Sequence, residues 1–161
     1  MMLSCNRDSQ KDLKKGEVKL ELEAELIRAY DSTYCDNLVH RTFDIELSIQ
    51  NKSKNLVSFL MMSCSIEDNF LVNNDYIVFV GRKCSSNHEV VRRLKQNEKL
   101  IFMFKVKMDE STIGQSVQKT KFGLVYFEPF KLKYEDVNQI FTDKSLYDNI
   151  FWSNALNLKE K

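Results

Sequence analysis

Proline occurs once and glycine four times in 161 residues. Phosphate-cradling loops need glycine where backbone closes on an anion, and stiff linkers need proline, so this composition argues against both. An excess of one charge is missing too: 24 basic residues face 23 acidic ones, a formal net charge of +1. Proteins that live on nucleic acid usually concentrate basic residues on one face. Nothing of that kind is visible, and nucleic acid is not an expected partner. No apolar run approaches the roughly 20 residues that span a bilayer as a helix. Histidine is scarce as well, with only His40 and His88 available as imidazole bases or ligands.

What is present describes a folded domain. Hydrophobic residues make up 43% and charged residues 29%, ordinary shares for a globular chain. A chain of about 150 residues buries roughly 68–70% of its unfolded surface, so neither metal nor disulfide is obligatory for stability.

The dominant pattern has period two. Val18, Leu20, Leu22, Ala24 and Leu26 alternate with Glu17, Lys19, Glu21, Glu23 and Glu25. Good helix formers abound here, but strict alternation would spread apolar groups around a helix, whereas a strand gathers them on one face. Phe43, Ile45, Leu47 and Ile49 repeat the pattern before the polar turn at 50–55. Residues 56–64 are almost continuously apolar, as in a strand buried on both faces. Further strands are expected at 76–80, 89–94, 100–108, 122–127 and 149–158. Tyr30 and Tyr34 flank Asp31-Ser32-Thr33, which reads as a loop, and residues 134–149 read as short helical turns. The expectation is an all-β antiparallel sandwich of about eight strands over residues 17–161, with helical turns before the last strand and a polar tether over 1–16.

The tether carries its own signal. Met2-Leu3-Ser4-Cys5 precedes an abruptly charged stretch, and it resembles the end of a bacterial lipoprotein signal peptide, in which the cysteine becomes lipidated. The basic and most of the apolar parts of such a signal are missing, so two readings stand: Cys5 as the lipidated residue, or Cys5 as an ordinary thiol. Phe43-Asp44-Ile45-Glu46-Leu47-Ser48-Ile49, closed by Gln50-Asn51-Lys52-Ser53, resembles a strand and turn of an immunoglobulin-like sandwich. Taken with Cys5, the layout resembles a bacterial lipoprotein with an immunoglobulin-like domain. That resemblance implies a fold, a cell-envelope location and a binding or scaffolding role, and no site residues.

Candidate chemistry is sparse. Cys64 and Cys84, each at the end of an expected strand, are the better disulfide pair; a bridge of that span contributes about 3 kcal/mol in the chain-entropy view. The alternative is that Cys35, Cys64 and Cys84 act as small apolar groups. Cys35, His40, Cys84 and His88 supply zinc-type donors but lack the tight spacing of structural sites. His88 lies among Ser85, Ser86 and Asn87, a setting that reads as a polar loop rather than a nucleophile and base. Asn51-Lys52-Ser53 is a glycosylation sequon in form and a turn by context.

Aromatics near expected loops, namely Tyr30, Tyr34, Phe70 and Tyr134, are the candidate ligand contacts, because rigid amphipathic rings lose little entropy on binding. The expected role is a non-catalytic, lipid-anchored extracytoplasmic domain that binds protein or glycan, with no cofactor. The alternative is a cytosolic interaction or inhibitor domain with reduced cysteines.

Overall fold

The computed structural model describes residues 18–35, 37–81, 84–108, 119–129 and 150–158. Cys5, the helical turns expected over 134–149 and Tyr134 lie outside the described residues. Among the described residues the protein is all-β, with nine strands: β1 (Leu20–Thr33), β2 (Val39–Asn51), β3 (Val57–Met62), β4 (Phe70–Val72), β5 (Ile77–Phe79), β6 (Glu89–Leu94), β7 (Lys99–Met108), β8 (Phe122–Val125) and β9 (Ile150–Trp152). A 3-10 turn, Ile66–Asn69, precedes β4.

Three antiparallel sheets form, in the orders β1-β2-β7-β5, β3-β6 and β4-β8-β9. The main core draws on the first sheet through Leu22, Phe43, Ile45 and Val106. It draws on the other two through Phe59, Phe70, Leu94, Phe122 and Leu124. β3 is buried on both faces: Val57, Phe59 and Met61 enter the main core. Leu60 and Met62 pack with Val125 and Phe127 in a second cluster. That double burial explains the unbroken apolar run.

Two sequence expectations need correction. Residues 30–33 are not a loop, because β1 runs on to Thr33 and pairs with β2 as far as Val39. The alternation breaks at a bulge between Leu26 and Arg28; one extra residue resets which side chains face out. The polar Asp31-Ser32-Thr33 tract is therefore the end of a strand, and the turn falls later, where Asn37 takes a left-handed φ of 60°. β9 is also shorter than the strand expected over 149–158. Beyond Trp152 the described residues extend the sheets through isolated bridges alone, Ser153 with Leu22 and Leu156 with Thr120.

β1 is an edge strand, and edge strands expose backbone groups that invite pairing with other chains. Part of this edge is sealed. The Asn154 side chain accepts from Ala24 N–H at 2.7 Å and donates to Ala24 C=O at 3.0 Å, as a neighbouring peptide group would.

Candidate functional site

The register of β1, β2 and β7 sets the most structured polar surface among the described residues. Arg28 stands opposite Asp44, which stands opposite Lys105; one rung along, Tyr30 faces Thr42 and Thr42 faces Lys107. Strand residues two apart share a face, so the side chains of both rungs project from the outer side of the first sheet. Tyr34, just past the end of β1, folds back over the second rung.

Hydrogen bonds lock this face. Arg28 donates to Asp44 Oδ2 through Nε and Nη2 at 3.0 and 2.6 Å, and the Tyr30 hydroxyl donates to Asp44 Oδ1 at 3.1 Å. The Tyr34 and Thr42 hydroxyls meet at 3.1 Å, and Thr42 donates to the His40 carbonyl. Cations lie against both rings: Arg28 Cζ is 4.5 Å and Lys105 Nζ 5.7 Å from the Tyr30 centroid, and Lys107 Nζ is 4.9 Å from that of Tyr34. His40 meets Tyr34 edge-to-face at 5.4 Å and places Nε2 3.4 Å from Lys107 Nζ. Thr42 is fully buried and His40 almost so, which shows how closely Tyr34 and Lys107 cover them.

Electrostatics follow from these contacts. Hydrogen bonding to Asp44, then the attraction of its charge, raises Arg28 above its ordinary value. Lys105 is raised too, chiefly by Tyr30, so it stays protonated further up the pH scale. Three cations thus surround one carboxylate and two rings, a surface suited to anions and to flat or acidic ligands.

The other sequence candidates fall elsewhere. Phe70 is fully buried and packs edge-to-face on Phe102 and Phe104; the expectation of a ligand contact there is corrected, because β4 pairs with β8 and turns the ring into the core. Cys64 and Cys84 form a disulfide with Cα atoms 6.0 Å apart, closing 20 residues of sequence. Cys84 is therefore not a thiolate ligand, and no cluster of metal-ligating side chains occurs among the described residues. Cys35 is a free, exposed thiol.

His88 does meet a serine, with Ser63 Oγ 3.2 Å from its Nδ1. The same hydroxyl accepts from the His88 backbone N–H. The adjacent N–H groups of Cys64 and Ser65 both donate to Asn87 Oδ1, so the donors that would hold an oxyanion there are already occupied. Asn51 is fully buried, and its amide is spent on internal hydrogen bonds; the sequon is a structural turn.

Sequence reasoning picked out Tyr30 and Tyr34 but not Arg28, Thr42, Asp44, Lys105 or Lys107. The outward period of β7 gave the two lysines a face. Only the register brings that face beside the tyrosines. The fold and surface define an all-β domain with a rigid, cation-topped aromatic patch on an open sheet. No family model, curated protein or solved structure matches the chain.

Proposed function

We propose that this is a non-catalytic binding or scaffolding domain of the cell envelope, an immunoglobulin-like sandwich carried on a lipid at Cys5, that presents one sheet face to an acidic protein or glycan. One observation carries the reading: Tyr30, paired with Thr42 on the ladder, and Tyr34, hydrogen-bonded to the same Thr42 from beyond the end of β1, share one face with Arg28, Lys105 and Lys107 against their rings. Aromatic and arginine side chains held rigidly on strands are the residue types that dominate binding energetics, and little entropy is lost in fixing them. The Cys64–Cys84 disulfide supports an oxidising compartment, where such bonds persist.

The test is a glycan array carrying sialylated, uronic-acid and neutral glycans, run beside acidic and neutral peptides. Acidic ligands are expected to bind, and to weaken both with salt and in Tyr30→Ala and Lys105→Glu. Indifference to ligand charge, or unchanged binding by both variants, sinks the reading. Intact mass of the native protein from fractionated cells tests the anchor: a membrane species beginning at Cys5 with added acyl mass is expected, and a soluble species retaining Met1 or Met2 rules it out.

A further inference from the structure

We infer that residues 99–104 of β7 form an open docking edge that takes an extended segment of a partner protein, apolar at its centre and acidic at its flank, by strand addition. β5 pairs with only the far end of β7, from Ile77 opposite Met108 to Phe79 opposite Val106, and Val80 N–H adds one bond to Lys105 C=O. Backbone groups of successive strand residues point to alternate sides. Since the Lys105 carbonyl points toward β5, those of Met103 and Ile101 point the same way, into the lane beyond the end of β5. No described residue hydrogen-bonds them there.

Side chains mark the same stretch. Ile101 is 56% and Met103 49% exposed, an apolar pair on an edge that natural sheets usually blunt with charge, proline or a covering segment. Beside them lies a cavity of about 590 Å³, walled across from β7 by Cys64, Ile66 and Glu67 and closed at one end by Val80 and Gly81. An incoming strand continues the lane of β5, bonds the Met103 and Ile101 peptides, and lays alternate side chains on Phe102 and on the exposed pair.

Charge selects the occupant. The outward row of β7 reads Lys99, Ile101, Met103, Lys105, Lys107, with cations at both flanks of the apolar pair, Lys99 being shared with Glu23 at 3.5 Å. Two copies of this edge bring like-charged lysines to one seam, whereas a foreign strand with carboxylates at its flanks complements them. On the other edge of the sheet, Asn154 occupies the Ala24 backbone and Ser153 bridges Leu22, in the stretch where β1 carries its glutamates, so a second copy does not offer a free acidic strand there. This edge shares Lys105 and Lys107 with the tyrosine face, but its backbone groups and its apolar pair are its own, so Met103→Pro and Tyr30→Ala separate the failure of one from the failure of the other.

The probe is a pair of blocked eight-residue peptides alternating valine and threonine, one ending in glutamates and the other in lysines. Binding and residue-resolved amide exchange are measured on the full chain. The glutamate peptide is expected to bind about fivefold tighter, as two opposite-charge cross-strand pairs imply, and to slow exchange at Ile101 and Met103. Met103→Pro removes only an edge-facing N–H, a position where sheets tolerate proline. It abolishes binding, as does the outward Ile101→Lys, with the amide spectrum confirming that both variants fold. Equal binding of the two peptides, no binding, or protection of other amides overturns the proposal. Concentration-dependent protection of Ile101 and Met103 without peptide also overturns it, by assigning the edge to a second copy.

Discussion

The side-chain amide of Asn51 donates to the carbonyl of Leu94 at 2.8 Å, across 43 residues of sequence. It also donates to the Asn55 carbonyl at 2.9 Å, and its oxygen accepts from Ser53 N–H at 2.8 Å. One buried amide thus joins the β2–β3 turn to the end of β6. The Asn51 backbone adds to the joint, donating to the Glu98 carbonyl and accepting from Asn97 N–H.

Replacing this residue strands its partners. Asn51→Ala leaves buried carbonyls and an N–H without a donor or acceptor, at a cost of about 2–4 kcal/mol. Urea unfolding should show a lower midpoint with an unchanged slope. A loss under 1 kcal/mol would mean that water replaces the amide.

Thiol titration separates the cysteines. Folded protein is expected to expose Cys35 to reagent while Cys64 and Cys84 stay silent until reduced. Cys64→Ser with Cys84→Ser should lower stability by about 2–4 kcal/mol. Rapid labelling of Cys64 or Cys84 without reductant contradicts the bond.

Tyr126 supplies the alkaline limb of stability. Burial, and then the charge of Glu128, raises its phenol to about 12, and its hydroxyl donates to the Ser58 carbonyl at 3.3 Å. The folded value lies above the unfolded value of about 10, so the fold binds the phenolic proton more tightly. Its contribution is fully present below pH about 10 and is lost as pH rises toward about 12. Ultraviolet titration should show a late phenol step, and Tyr126→Phe should remove that step and flatten the alkaline fall in stability.

Gly123 lies beneath a ring. A Cβ there would sit 2.6 Å from Ile150 Cγ2 and 2.9 Å from Trp152 Cε3 and Cζ3. Gly123→Ala should cost about 1–3 kcal/mol through overpacking. Adding Trp152→Ala should recover part of that loss in a double-mutant cycle, and strict additivity of the two changes rules out the contact.

Much of this architecture was legible in the period-two runs, because each marks a strand with one face in the core: 43, 45, 47 and 49 fell on the inner face of β2 as read. The unbroken run at β3 was legible for the opposite reason, burial on both sides. What escaped was anything set by register. The bulge after Leu26 hid the second half of β1, since one inserted residue cancels the alternation that periodicity detects. The tyrosine face escaped in part for the same reason, as its lysines lie more than 70 residues from Tyr30 and Tyr34 in sequence and meet them only through β2. Phe70 misled because a three-residue strand carries too little pattern to distinguish a core ring from a loop ring.

The Asn154 amide seals one peptide position of an edge strand that lies 130 residues upstream. During synthesis β1 can pair with β2 early, since the two are joined by a short turn, yet its outer edge stays open until the segment bearing Asn154 has left the ribosome. Through that interval the nascent hairpin is guarded by its own outward row, Glu21, Glu23 and Glu25, whose like charges discourage a second nascent chain from pairing there. Closure across 130 residues also costs more chain entropy than the β1–β2 turn. Asn154 works in time as much as in space, ending a vulnerable period that begins with the first strand.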